Sequence, residues 1–333
     1  MPFGDKVTVK TKMLYDLVAF GETMIALAPP PGEIVRRTEY LLIDHAGAES
    51  NTCVGLARLG LRVAWVSRLG ADAAGERILE SLSGEGVDTR WVGRDATRPT
   101  GLMLKEPGVG VRYYRTGSAA SAMGPDALLG VPVAEARAVL VSGVTALIGA
   151  EPHAAALALL GSARGLRIVD PNLRTGLWGS ERRAELVRPL IDRCDLLLTG
   201  MSELEELLGD PNSAKAFPAR RSAEGAKAAA ERASTHDWSA KALAERARLR
   251  GPREVVVRSA ASVGVLTADG WHELEIRRDD AVDPIGAGDA FNAGYIAVRL
   301  RGGPVDEALR AGVRCGAAVT TSPSDTAGFP RSL

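Results

Sequence analysis

The residues with the clearest chemical potential lie late in the chain, in the stretch AVDPIGAGDAFNAGYIA at 281–297. Three small residues, Gly286, Ala287 and Gly288, precede an apolar pattern with helical spacing. Small residues let a backbone turn approach another molecule closely, and the amides at a helix N-terminus bind phosphate or stabilise an oxyanion. Asp289, in the first helical turn, could remove a proton from a hydroxyl nucleophile. The stretch therefore predicts an anion hole with a general base beside it.

A glycine-rich turn before a helix has other interpretations, and the spacing excludes two of them. A dinucleotide-binding G-x-G-x-x-G pattern needs a third glycine where Phe291 stands. A Walker A loop needs a glycine followed by Lys-Ser or Lys-Thr, and the sequence contains no such tripeptide. Two interpretations stay open. Asp289 either caps an ordinary helix or activates a hydroxyl at a phosphate-handling turn of another kind.

Length and composition fit one large α/β domain. The chain has 333 residues, of which 46% are hydrophobic and 25% charged, so a sizeable core can form. Lys+Arg and Asp+Glu balance at 41 each, so no net field favours nucleic acid or an anionic membrane, and we expect neither as a partner. The apolar run that begins at Ala138 is too short to span a bilayer. We expect a cytoplasmic protein in which residues 1–13 form a disordered tail.

The cysteines and histidines give no sign of a disulfide framework or a metal site. Cys53, Cys194 and Cys315 are far apart and surrounded by apolar or helical sequence, which favours three buried thiols. The four histidines show no paired spacing that would favour a metal. We therefore assign the histidines no chemistry.

The elements that must position the glycine-rich turn alternate between strands and helices. Short apolar runs such as Leu17–Phe20 predict buried strands, and segments such as SNTCVGLARLG, which ends at Gly60, predict amphipathic helices. Strands separated by helices of this length imply right-handed crossovers. We therefore predict an α/β domain with a mainly parallel sheet.

Three segments interrupt this alternation. Two extended, partly polar segments at about 34–47 and 101–117 predict a small separate sheet, the second with a hairpin turn near Pro107 to Gly110. Such a sheet could close over a site as a lid. Residues 210–251 are rich in Ala, Arg, Lys and Glu and predict solvated surface helices.

Two signatures resemble those of the ribokinase-like, PfkB-type carbohydrate kinases. DPIGAGDAF resembles that family's C-terminal signature, and Gly47–Thr89 resembles its N-terminal signature. Within the family, FGETMIALAPP, VRYYRTGSAASAM and DPNLRTGLW are similar to segments of 2-keto-3-deoxygluconate kinases. The resemblance implies a three-layer α/β/α ribokinase-like fold with a small β-sheet lid, within one kinase domain at 14–333. It also implies that the protein uses ATP and Mg²⁺.

The resemblance also implies roles for individual residues. Asp289 would be the catalytic base, and the anion hole would consist of Gly286, Ala287 and Gly288. The residues expected at the sugar acid are Gly47, Tyr113, Tyr114, Arg115, Arg174 and Asp325, of which the last could instead close the nucleotide pocket. Those expected at the nucleotide are Asn172, Arg174, Arg258, Ala260, Gly264, Gly286 and Gly288. Guanidinium groups suit a carboxylate, so Arg115 and Arg174 favour an acidic sugar.

The nucleotide loop and the magnesium motif depart from the family's usual pattern. The loop is usually K-x-G-x-x-G, and here Arg258, Ala260 and Val263 occupy those places. The family associates magnesium with Asn-x-x-Glu. In TGMSELEELLG, Glu205 has that spacing from a serine, and Glu203 is equally near. We take Glu205 as the candidate metal-associated residue.

These patterns lead to one main hypothesis and two alternatives. The main hypothesis is an ATP- and Mg²⁺-dependent kinase that phosphorylates the terminal hydroxyl of a sugar acid, 2-keto-3-deoxygluconate, with a homodimer formed through the lid. The first alternative is a kinase of a neutral sugar or nucleoside with the same machinery. The second is a sugar-acid binding protein whose altered nucleotide loop has impaired catalysis.

Overall fold

The computed structural model describes residues 13–106, 109–174, 177, 182–209, 239–276, 286–320, 324 and 326–333. Several predictions lie outside these residues. They concern nearly all of the tail at 1–13, part of the hairpin turn at 107–108, most of the charged segment at 210–238, and Asp325.

The strands alternate with helices along most of the described chain, as the sequence predicts. In chain order the strands are β1 (Leu17–Phe20), β2 (Met24–Ala28), β3 (Leu42–Ala46), β4 (Val63–Gly70), β5 (Val92–Asp95), β6 (Leu102–Glu106), β7 (Gly110–Tyr114), β8 (Ala138–Ser142), β9 (Leu166–Asp170), β10 (Leu196–Gly200), β11 (Glu254–Arg258), β12 (Ser262–Thr267) and β13 (Gly270–Glu275). The helices are α1 (Ala48–Arg58), α2 (Ala73–Gly84), α3 (Gly143–Ala146), α4 (Ala150–Ser162), α5 (Arg183–Ile191), α6 (Met201–Leu208), α7 (Ala240–Arg248), α8 (Ala287–Leu300) and α9 (Val305–Val319).

A large central sheet carries the fold. Its order across the described strands is β13-β12-β11-β10-β9-β8-β1-β4-β5. Every pairing from β11 to β5 is parallel, and β12 and β13 join one edge in antiparallel pairings. The mainly parallel sheet is therefore confirmed, with an antiparallel extension at one edge.

Helices cover both faces of this sheet. In β1, Leu17 and Ala19 belong to one core cluster, and the alternate residues Val18 and Phe20 belong to the other. The first cluster contains residues of α1, α8 and α9, and the second contains residues of α4, α5, α6 and α7. Side chains alternate across a strand, so a strand buried on both faces is apolar at every position. The three-layer α/β/α arrangement follows from this pattern.

A second, four-stranded sheet has the order β3-β2-β6-β7. Strand β2 pairs with β3 in antiparallel register and with β6 in parallel register, and β6 and β7 form a hairpin. The two segments predicted as a lid supply β3, β6 and β7, while β2 comes from the apolar run MIALA directly after the first central strand. The small sheet is confirmed, and β2 enlarges it beyond the predicted segments.

Two further expectations concern the cysteines and the membrane. All three cysteines are buried and free, in agreement with the sequence analysis. Among the described residues, no helix is both long enough and apolar enough to cross a membrane.

Candidate active site

Most of the predicted site residues outside the small sheet lie near the carboxyl ends of the central-sheet strands. The chain order reverses beside β1, because β4 pairs on one side of it and the later strand β8 on the other. In open α/β sheets, ligands bind outside the carboxyl ends of the strands at such a reversal. The N-termini of α1 and α8 meet at this edge of the sheet, where the two helices pack together.

Asp289 lies in the first turn of α8 and faces α1. Its Oδ2 atom accepts a hydrogen bond of 2.9 Å from Nδ2 of Asn51. The N-cap position belongs to Gly286, which has no side chain to cover the first-turn amides. Asp289 therefore is not the N-cap of its helix, and its carboxylate is oriented by a residue from the other end of the chain.

Gly286 allows the backbone turn that starts α8. Its φ is 84°, in the left-handed region that glycine adopts without strain. The first amides of a helix have no partner within the helix, and the helix dipole adds positive potential at that end. The turn at Gly286, Ala287 and Gly288 thus has the donors of an anion-binding site.

A buried polar network supports this turn from below. Asp170, at the end of β9, accepts a hydrogen bond of 2.7 Å from Nδ2 of Asn292 and forms an ion pair of 3.2 Å with Arg258. Arg258 also donates to the carbonyl of Gly288 at 3.1 Å and to Oδ1 of Asn292 at 2.7 Å. The Arg258 guanidinium is therefore held beneath the anion hole, where it fixes the first turns of α8 and adds positive charge.

The predicted metal-associated region places Glu203, rather than Glu205, beside this network. Glu203 accepts backbone hydrogen bonds from Gly200 at 2.9 Å and Leu173 at 2.8 Å. Burial and the neighbouring Asp170 carboxylate raise the pKa of Glu203. Glu205 lies two residues further along α6, about 200° around the helix axis. This geometry favours Glu203 for a metal-associated role.

Asn172 and Arg174 follow β9 on the loop that leaves Asp170. Asn172 has a φ of 39°, and its backbone amide donates to Oδ1 of Asp170 at 3.0 Å. A positive φ in a residue other than glycine is uncommon and is often found at functional sites. Arg174 is exposed, and its guanidinium donates to the carbonyl of Leu173 at 3.1 Å. Arg174 remains accessible to an anionic ligand at this edge.

Arg115 is placed differently from Arg174. Its Nε atom donates to Glu22 at 2.6 Å, and both side chains are buried. Ser118 donates to the other oxygen of Glu22 at 2.9 Å. Arg115 therefore ties the end of the small sheet to the segment after β1. This engagement favours Arg174 over Arg115 as the arginine that meets a substrate carboxylate.

Gly47 caps α1 in a space that excludes a side chain. A Cβ atom there would lie 2.3 Å from the Glu22 carbonyl and 2.8 Å from the hydroxyls of Ser50 and Thr23. The Gly47 carbonyl accepts the Asn51 amide at 2.8 Å, so this close approach also positions the partner of Asp289. Glycine is needed here for space, because its φ of −170° is open to any residue.

Tyr113 and Tyr114 occupy opposite faces of β7. Tyr113 is half-buried against Met24, Ala26 and Met103, and the Arg115 guanidinium lies 5.6 Å from its ring centre. Tyr114 is 56% exposed. Adjacent strand residues point to opposite faces, so the two tyrosines cannot face one ligand from the same side of the sheet.

The predicted nucleotide loop is a tight turn between β11 and β12. The Ser259 hydroxyl accepts the amides of Ala261 and Ser262 at 3.2 and 2.9 Å, and Ala260 is exposed between them. Gly264 is buried within β12, where a Cβ atom would lie 2.0 Å from the Trp271 ring. This contact favours a packing role for Gly264, while Ala260 remains accessible at the tip of the turn.

Sequence reasoning missed several polar residues of the site. They each bond to a predicted site residue: Asn51 to Asp289, Asp170 and Asn292 to Arg258, and Glu22 to Arg115. Glu203 was considered from the sequence, but Glu205 was preferred to it. The signal for Asp170 was a carboxylate directly after the apolar pair Ile168 and Val169, and the signal for Asn292 was a polar residue inside an apolar helix. A buried polar side chain needs partners, so such exceptions mark a network.

Comparison with known proteins agrees with this geometry. The family model "pfkB family carbohydrate kinase" matches residues 15–331. The chain is 29% identical to 2-dehydro-3-deoxygalactonokinase of Haloferax volcanii, over 95% of this chain and 94% of that protein. It is 30% identical to 2-dehydro-3-deoxygluconokinase of Bacillus subtilis, over 96% and 93% of the two chains.

A solved structure supports the same conclusion. The PfkB protein from Polaromonas sp. JS666 is 31% identical and matches with a TM-score of 0.77, over 95% of this chain and 98% of that one. The family match covers nearly the whole chain. It agrees with the two signature segments and with the three-layer fold and its small sheet. The chain belongs to the pfkB family of carbohydrate kinases.

Proposed function

We propose that the protein phosphorylates a hydroxyl of a six-carbon sugar acid of the 2-keto-3-deoxy type, with ATP as the phosphoryl donor. The observation that carries the proposal is the Asn51–Asp289 hydrogen bond where two helix N-termini converge. A carboxylate held beside outward-facing amides can serve proton removal and anion stabilisation together. The kinase domain extends over residues 14–333.

Asp289 acts as the general base in this proposal. The substrate hydroxyl gives its proton to the Asp289 carboxylate as its oxygen attacks the γ-phosphorus, and ADP leaves on the opposite side. Asn51 holds the carboxylate in place through the Oδ2 atom.

The turn before α8 stabilises the charge of the transferred group. The amides at Gly286, Ala287 and Gly288 donate to the phosphoryl oxygens, and the Arg258 guanidinium lies beneath them. Asn172 and Arg174 contribute from the neighbouring loop. Such donors are fixed before the reaction, so they need little rearrangement as charge develops.

Magnesium fits the donor set at this edge. Asp170 and Glu203 supply carboxylate oxygens, which Mg²⁺ prefers, although the described residues contain no cluster of three or more acidic, histidine or cysteine ligands. Magnesium is usually held by one or two carboxylates together with substrate phosphates and water. When bound, the ion would neutralise charge on the phosphates.

The acidic substrate is supported by charge and by the names of the relatives. Arg174 is an exposed residue on the loop that follows β9, at the same edge of the central sheet as the anion hole. The relatives from H. volcanii and B. subtilis are named as kinases of 2-dehydro-3-deoxy sugar acids. Gly47 and Tyr113 complete the sugar side of the site in this proposal.

ADP release with a substrate panel tests the proposal. The panel contains 2-keto-3-deoxygluconate, its galactonate epimer, gluconate, ribose, fructose and adenosine. We expect turnover with a 2-keto-3-deoxy acid, and Arg174→Gln should raise KM for the acid far more than for any neutral sugar. Turnover with only a neutral compound would support the neutral-sugar alternative. ATP or sugar-acid binding without turnover on any compound would support the impaired binding protein.

We also propose that the small sheet forms a homodimer interface. Five of the nine large apolar side chains exposed among the described residues lie on or beside it, at Tyr40, Leu42, Ile43, Val109 and Tyr114. Exposed apolar patches of this kind commonly mark interaction surfaces. A sheet paired with its copy would cover these side chains at the entrance to the site.

A further inference from the structure

A cavity of about 740 Å³ opens at the amino edge of the central sheet, opposite the active site. Its floor includes Leu166, Leu196 and Glu254, the first residues of β9, β10 and β11. Small-molecule sites in proteins are typically about 300–1,000 Å³, so this cavity is large enough for a metabolite. Nothing in the proposed kinase reaction uses it.

The cavity has an excess of positive charge. Its lining includes four arginines, Arg164, Arg167, Arg253 and Arg299, but only two carboxylates, Asp195 and Glu254. The chain as a whole is balanced at 41 charges of each sign. Two positive charges in excess at one cavity are therefore a local feature.

The two carboxylates are already occupied by two of the arginines. Arg167 and Asp195 form two side-chain hydrogen bonds of 2.8 Å, and Asp195 also accepts the Arg167 amide at 3.0 Å. Arg299 pairs with Glu254 at 2.8 Å, and the buried Tyr295 hydroxyl donates to the same carboxylate at 2.5 Å. These pairs fix the cavity floor and leave the carboxylates little capacity for the other arginines.

Arg164 and Arg253 supply the excess charge. Arg164 is exposed and has no ion pair among the described residues. The Arg253 side chain is 88% exposed, and its Nε atom comes no closer than 4.0 Å to Asp195. A guanidinium presents several donors in a planar fork that matches phosphate and carboxylate oxygens. Two such groups at one cavity match a ligand with two anionic groups.

We propose that this cavity binds a small polyanion carrying phosphate or carboxylate groups, and that Arg164 and Arg253 are the residues that bind it. The site is separate from the active site, because it lies at the other ends of β9, β10 and β11, about 13 Å away along each strand. Its occupancy does not depend on the kinase proposal, since no catalytic residue lines it.

Calorimetric titration with two probes, inorganic pyrophosphate and citrate, tests the proposal on the full chain without magnesium. We expect at least one probe to bind, and Arg164→Ala/Arg253→Ala to weaken that binding at least tenfold. The matched control, Arg90→Ala/Arg310→Ala, also removes two positive charges, but from exposed positions elsewhere. It should bind the probe as the unaltered protein does. The probe that binds distinguishes a phosphate from a carboxylate ligand.

Anions can also enter the active site, so a third variant separates the two sites. Gly288→Asp puts a negative charge into the anion hole and should leave binding at the amino edge unchanged. The proposal is overturned if neither probe binds, if Gly288→Asp abolishes all binding, or if both double variants weaken binding equally. A melting curve for each variant checks that it is folded.

Discussion

The Oδ2 atom of Asp289 lies 2.9 Å from Nδ2 of Asn51, although the two residues are 238 positions apart in the chain. The contact joins the first turns of α1 and α8, which belong to the two segments that resemble the family's signatures. An aspartate that only stabilised its own helix would have no need of a partner on another helix. The contact therefore supports a catalytic role for Asp289.

Replacing the base tests this role directly. We expect Asp289→Asn to lower kcat by about 10²- to 10⁴-fold, because general-base catalysis contributes on that order. The melting temperature should change little, since the amide can still bond to Asn51. Asp306→Asn is the matched control, because Asp306 lies in the first turn of α9. Near-normal turnover by Asp289→Asn would show that the carboxylate is not the base.

The ion pair beneath the anion hole should matter for stability. Arg258→Met leaves the buried Asp170 carboxylate with Asn292 but without its cation, and breaking a buried pair in this way costs roughly 3–5 kcal/mol. Denaturant unfolding measures this loss. Asp170→Asn in the same chain should restore part of the stability but not the activity. If the double variant loses the sum of the unfolding free energies that the two single variants lose, Arg258 and Asp170 are not coupled.

The glycine that caps α1 should not tolerate a methyl group. Gly47→Ala would place Cβ 2.3 Å from the Glu22 carbonyl, so we expect a lower melting temperature and a raised KM for the sugar. The control is Gly161→Ala in α4, where no atom lies within 4 Å of the added carbon. That substitution should stabilise the helix by up to about 1 kcal/mol. Equal effects of the two changes would rule out the crowding argument.

The buried Glu203 should give stability a characteristic pH dependence. Burial and the Asp170 charge raise its pKa, so its protonated form stabilises the fold, and this contribution is lost as the pH rises through the raised pKa. Glu203→Gln cannot titrate. The melting temperature of this variant relative to the unaltered protein should therefore increase between about pH 4 and about pH 8.

Glu85 provides a control of opposite sign. Its hydrogen bond with Arg58 lowers its pKa, so its contribution is present above the ordinary carboxyl pKa and is lost as the pH falls. Glu85→Gln should therefore lose stability relative to the unaltered protein as the pH rises from about pH 2 to about pH 5, and this difference should change little from there to about pH 8. If the relative melting temperatures of Glu203→Gln and Glu85→Gln changed with pH in the same direction, the raised pKa of Glu203 would be contradicted.

The small sheet can be tested as a dimer interface. Ile43→Asp places a charge on a side chain that is 51% exposed in the monomer, and we expect it to shift the protein from dimer to monomer in sedimentation experiments. Leu129→Asp is the control, because Leu129 is 80% exposed but lies away from this sheet. The dimer proposal is wrong if the unaltered protein sediments as a monomer, or if both substitutions change the oligomeric state equally.

Local patterns were enough to predict the central sheet and the glycine-rich turn before α8. Wholly apolar runs such as Leu17–Phe20 can be buried on both faces only in a covered sheet, and helices between them force parallel crossovers. The small residues before Asp289 determine a helix N-terminus with open amides. These features depend on residues close together in the chain, and periodicity therefore reveals them.

Tertiary structure alone decided which polar groups meet. Asn51 reaches Asp289, and Asp170 reaches Arg258 and Asn292, only because the strand order places their elements side by side. Arg115 and Arg174 both fit a carboxylate by type, yet folding paired Arg115 with the buried Glu22 and left Arg174 exposed. Residue type sets what a side chain can bind, but its partner depends on contacts between distant segments, and no local pattern records them.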